Sequence, residues 1–112
     1  MTNYDRAEFL EDLRHIRRSP NMWMRRGTFG ETCALLYGMD LAADGRLLDG
    51  FQQWLCQKLD LKETLLPWQE LSLRLTFPNT DLTVPGTSIP DETKARTELL
   101  EHVEAFLREI TQ

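Results

Sequence analysis

Apolar residues recur along most of this chain at intervals of three and four, the period of a helix with one buried face. Phe9, Leu10, Leu13 and Ile16 predict a first helix over about 4–18. Thr2 or Asn3 is its expected cap, and Asp5 and Glu8 stand in the first turns, where the macrodipole favours acids. Pro20 ends it, because the residue before a proline is driven out of the helical region. Thr28-Phe29-Gly30-Glu31 has the form of a capping box, so a second helix is expected over about 29–43, with Phe29, Cys33, Leu36, Tyr37 and Leu41 as its buried stripe. Asp44-Gly45 reads as a turn. Leu47, Leu48, Phe51, Trp54, Leu55 and Leu59 then predict a third helix over 46–59, antiparallel to the second.

From Leu61 to Pro90 the pattern weakens. Pro67 suits the opening of a short helix over 68–76, in which Trp68 and Leu71 pack. Leu71, Leu73, Leu75 and Phe77 also alternate with polar residues, which leaves a small β element near 70–77 as the alternative reading. Residues 77–90, with Pro85-Gly86 inside, read as a long loop. A last helix over about 91–110 is expected to begin after Ser88 or Pro90, with Ala95, Leu99, Leu100, Val103, Phe106, Leu107 and Ile110 on its apolar face. The expectation is an all-α, single-domain bundle of four to five helices spanning residues 1–112.

Composition supports that class. Leucine occurs 19 times against five for valine and isoleucine together, which favours helix over sheet. With 112 residues there is material for one core. No apolar run approaches the ~18 residues of a membrane span, and the N-terminus lacks the basic start and apolar stretch of a signal peptide, so the expected location is the cytoplasm. Cys33 and Cys56 lie in apolar periodic segments and read as reduced core residues.

The net charge of -5 is unevenly distributed. Residues 1–26 carry six arginines against four acids, so the remainder of the chain holds a net -7. The overall acidity disfavours a nucleic-acid binder. Arg17, Arg18, Arg25 and Arg26 around Met22, Trp23 and Met24 have the composition of a nucleic-acid contact, but the preferred reading places Trp23 and the methionines in the gap between the first two helices.

Chemistry-bearing residues are scattered. His15, Cys33, Cys56 and His102 show no metal-ligand spacing. A thiol on an apolar face has its ionisation suppressed, which argues against a Cys-His nucleophile. Gly27-Thr28-Phe29-Gly30 leads into a helix but follows no apolar strand and lacks a P-loop lysine, leaving only weak anion binding at the helix start. No catalytic residue, metal or cofactor is expected, and the chain does not read as an enzyme.

The acidic surface is the candidate site. Asp40, Asp44 and Asp49 cluster around the turn after the second helix, Asp60 and Glu63 follow the third, and Glu98, Glu101 and Glu104 lie off the apolar face of the last. Such a surface can meet a basic protein face and speed encounter by electrostatic steering.

Ile16-Arg17-Arg18-Ser19-Pro20-Asn21-Met22-Trp23, Leu36-Tyr37-Gly38-Met39-Asp40-Leu41-Ala42, Leu48-x-x-Phe51-x-x-Trp54-Leu55 and then Trp68 resemble a pattern shared by a group of small bacterial proteins. Met39 stands where that pattern has an aromatic, and Trp23 where a tyrosine is more usual. Some of these proteins resemble the immunity partners of polymorphic and contact-dependent growth inhibition toxins. The resemblance implies a non-enzymatic, cytoplasmic inhibitor that binds a cognate toxin domain, such as a nuclease. The expected toxin-binding residues are Asp40, Asp44, Asp49, Glu98, Glu101 and Glu104. The alternative is an adaptor or small regulatory subunit, dimeric through the C-terminal helix.

Overall fold

The computed structural model describes residues 4–62, 64–82 and 86–110. They form five α-helices and no strand among the described residues: α1 (Arg6–Arg18), α2 (Phe29–Ala42), α3 (Phe51–Lys58), α4 (Trp68–Thr76) and α5 (Glu92–Ile110). A single 3-10 turn, Pro20–Met22, follows α1. The expected Thr2 or Asn3 cap lies outside the described residues. The cap of α1 is Asp5, whose carboxylate accepts from the Glu8 amide at 2.9 Å.

α5, 19 residues and about 30 Å long, packs against each of the other four helices. Its Leu99, Leu100, Val103 and Leu107 are fully buried, meeting a core that includes Phe9, Leu13 and Ile16 of α1, Leu36 of α2, Phe51 and Leu55 of α3 and Leu71 of α4. Each such side chain contributes about 1.5–3 kcal/mol by leaving water. The helix begins after Pro90, as expected, with the Asp91 carboxylate accepting from the Lys94 amide at 3.0 Å.

The third helix is shorter than its periodicity predicts. Leu47 and Leu48 are buried but not helical, because the Asp40 carboxylate takes both their amides, at 3.0 and 2.9 Å, and ties the segment into a turn. Gly50 starts α3 with φ 91°, and a Cβ there would sit 3.7 Å from the Phe106 ring. The long turn from Ala43 to Gly50 also undoes the expected antiparallel hairpin: α3 packs on α4 and α5, whereas α2 packs on α5. Phe51 anchors α3 in an aromatic group, with ring centroids 5.4 Å from Phe106, 5.9 Å from Trp68 and 6.1 Å from Trp54.

Residues 68–76 are helical, so the strand alternative is set aside. α4 packs against both α3 and α5, and it buries Ser72 and Thr76 as well as Leu71 and Leu73. Thr76 satisfies its hydroxyl on the Ser72 carbonyl at 3.1 Å. Burying polar residues this way leaves an alternating apolar pattern on a helix.

α2 starts as expected. Thr28 accepts from the Glu31 amide at 3.1 Å, and the Glu31 carboxylate accepts from the Thr28 amide at 3.3 Å and the Arg26 amide at 3.0 Å. Its buried side departs from the expected stripe, however: Thr32 is inside, whereas Tyr37 and Leu41 are 51% and 58% exposed. Thr32 fits because its hydroxyl donates to the Thr28 carbonyl at 2.8 Å.

Candidate protein-binding surface

The six acidic candidates fall into different environments. Asp40 is half-buried and engaged by the Leu47 and Leu48 amides, so it holds a turn together. Asp44 and Asp49 on that turn are exposed, and their carboxylates have no hydrogen bond or ion pair among the described residues. The Asp49 carbonyl accepts from Arg6 at 2.9 Å, which fastens the turn to the start of α1. Together Tyr4, Asp5, Arg6, Arg46, Leu47 and Asp49 line a depression of about 410 Å³. Arg46 is held on the Ala43 carbonyl at 2.9 Å.

On α5, Glu98 stands 3.9 Å from Lys94 and Glu101 stands 3.9 Å from Arg17, both in reach of solvent. Glu104 is 3% exposed and is not a surface residue. It lies in the α1–α5 contact, 3.1 Å from Arg17, with Oε1 unpaired among the described residues. Asp60 is exposed, and Glu63 lies outside the described residues. The acidic candidates thus reduce to a free pair on the turn after α2 and a partly paired couple on α5.

The arginine-rich segment opens outward more than expected. Only Met24 fills the gap, its Sδ 3.3 Å from the Thr32 hydroxyl oxygen, while Met22 is 85% and Trp23 39% exposed. His15, Arg18, Ser19, Met22 and Trp23 line a depression of about 400 Å³. Arg96 of α5 donates to the Gly27 carbonyl at 2.8 Å and fastens the segment to α5.

His15 is exposed on α1, whereas the thiols, Ser72 and His102 are turned inward. Burial pushes the Cys33 thiol up to about 12, with Glu70 and Glu92 adding to the shift. Cys56 is a second free, buried thiol. Ser72 shares a 3.0 Å hydrogen bond with His102 Nδ1, but the serine is fully buried, and burial lowers the histidine below its ordinary value. Among the described residues no three His, Cys, Asp or Glu side chains gather where a metal ion would fit. The α2 N-terminus, which the sequence offers to anions, is filled from within: Glu92 accepts from the Phe29 amide at 2.8 Å, and Glu31 takes the amides of Thr28 and Arg26. Those amides hold Glu31 below the usual carboxylate range.

The surface that sequence reading missed is the outer side of α2. Gly30, Ala34, Tyr37, Gly38, Leu41 and Ala42 are all exposed. The available signal was the scarcity of charge in that helix, which carries only Glu31 and Asp40. No protein-family model matches the chain, and neither a curated protein nor a solved structure does.

Proposed function

We propose that this chain is an immunity protein, which neutralises a cognate bacterial toxin, a nuclease, by binding and covering its active or substrate-binding surface in the cytoplasm. The reading rests on the acidic turn after α2. Asp44 and Asp49 are exposed and unpaired among the described residues, on a segment fixed by Asp40 and Arg6, so their charge is presented without a large ordering cost. A nuclease substrate site is basic, and rigid carboxylates suit it as phosphate mimics that also speed encounter. The motif resemblance points the same way. Occlusion requires no chemistry from the inhibitor.

The test is to identify the protein encoded beside this chain and to measure inhibition of its C-terminal domain, expected to be a nuclease. Stoichiometric loss of nuclease activity, at least tenfold weaker in 0.5 M than in 0.05 M salt, is the expected result. Asp49→Lys, Glu98→Lys and Glu101→Lys together are expected to weaken inhibition by at least tenfold. Full inhibition that neither salt nor this triple reversal changes would overturn the electrostatic reading, and no inhibition would overturn the immunity reading. An adaptor dimeric through the C-terminal helix would have to use the outer side of α5, because most of its apolar face is covered within the chain.

A further inference from the structure

Gly30, Ala34, Tyr37, Gly38, Leu41 and Ala42 share a sector of about 140° on α2 at 3.6 residues per turn. Within it Tyr37 and Leu41 leave large apolar side chains in water. The two charged residues of the helix do not break the sector. Glu31 stands at its N-terminal edge with its carboxylate held by amides, and Asp40 is turned to the Leu47 and Leu48 amides. Gly30 and Gly38 lie inside the helix, where glycine is disfavoured, yet a Cβ on either would meet nothing within 4 Å. No contact within the described residues accounts for them.

We propose that this face receives a second copy of the same chain, the two α2 helices crossing antiparallel about a two-fold axis. The choice of occupant comes from charge along the face. Arg25 and Arg26, both exposed, precede its N-terminal end, and the Arg26 amide bond to Glu31 holds that end against the helix. Asp44, exposed and unpaired among the described residues, follows its C-terminal end, where the charge of Arg46, held on the Ala43 carbonyl, is offset by that of Asp40, so the end stays acidic. An antiparallel pair sets the basic end of each copy against the acidic end of the other, twice by symmetry, and opposes the helix dipoles. A parallel pair sets like charge on like.

The register agrees. An axis beside Leu36 places Gly30 opposite Ala42 and Ala34 opposite Gly38, so that the smallest residues meet and the backbones approach, with the Tyr37 rings near the axis. One helix face falls short of the ~800 Å² per partner of a standard interface, so the dimer is a weak one that forms with concentration. This inference does not rest on the toxin reading, although Asp44 enters both.

Sedimentation velocity of the full chain tests it, with circular dichroism to verify that each variant is folded. The expected result is a monomer at low micromolar concentration that passes to a dimer at hundreds of micromolar. Ala34→Glu is expected to weaken association at least tenfold. Arg26→Asp and Asp44→Lys should each weaken it about threefold, and an equimolar mixture of these two variants should recover it. In the mixed dimer the introduced aspartate of one copy faces the introduced lysine of the other at one contact, and the native Arg26 faces the native Asp44 at its symmetry mate. A wild-type chain that stays monomeric overturns the proposal, even if Ala34→Glu abolishes toxin binding, because the face would then belong to the toxin. A dimer indifferent to Ala34→Glu, or a mixture that does not recover association, overturns it as well.

Discussion

α5 and α2 are both rich in apolar residues, and they use them differently. α5 keeps most of its charges on one side and buries Ala95, Leu99, Leu100, Val103, Phe106 and Leu107 on the other, where all four other helices meet it and where Glu92, Arg96 and Glu104 are each engaged by a neighbouring segment. α2 buries Phe29, Thr32, Cys33 and Leu36 against α5 but leaves Tyr37 and Leu41 in water. In an amphipathic helix the polar side tells the apolar side where to go. In a helix with almost no polar side, orientation is decided by what fastens its first turn: the Thr28–Glu31 box, Glu92 on the Phe29 amide, and Met24 against Thr32.

The contrast breaks if the two helices respond alike to truncation. Leu100→Ala is expected to cost about 2–5 kcal/mol in urea unfolding, since it empties a fully buried site. Leu41→Ala should fall within about 0.5 kcal/mol of wild type at concentrations where the chain is monomeric. Next in size is the buried ion pair on α5. Arg17→Ala leaves the Glu104 carboxylate buried without its cation and should cost about 2 kcal/mol, below the figure for a fully buried pair because Arg17 is 39% exposed. Adding Glu104→Leu is expected to return most of that loss.

On the α2 side, Gly38→Ala should stabilise the monomer by about 1 kcal/mol, measured by thermal unfolding, because the added methyl meets open space and favours the helix. The smallest expected effect concerns pH. Burial lowers the His102 pKa in the fold, so the unfolded chain takes up a proton more readily. Stability is therefore complete above the unfolded value of about 6.5 and declines as pH falls from there through the lowered folded value. His102→Gln should flatten unfolding free energy over that range.

Much of the fold was legible because the signals were local. Asp5 and Glu8 at the start of α1, Pro20 after its end, the Thr28–Glu31 box and the three-four spacing in α5 each act within a few residues. The shortened α3 was not legible, since it depends on Asp40 reaching Leu47 and Leu48 amides that periodicity counts as helical. The α4 pattern was ambiguous because the burial of Ser72 and Thr76 follows from packing against both α3 and α5, which alternation along the chain cannot express. At the surface, sequence marks Asp44 and Asp49 as acidic and correctly leaves them outside, but it treats Glu104 the same way. Only the position of Arg17 across the α1–α5 contact turns Glu104 inward.

The two bonds from the first turns of α5 to the start of α2, Glu92 to the Phe29 amide and Arg96 to the Gly27 carbonyl, bridge 63 and 69 residues of chain. During synthesis, α2 therefore emerges with neither its outer anchors nor the helix it packs on, and it must wait until α5 has left the ribosome. Closing loops of that length before the rewarding contacts form slows folding relative to bundles built from neighbouring hairpins. A nascent chain halted before Glu92 would expose the apolar sides of four helices at once, a species suited to capture by chaperones or to degradation rather than to function.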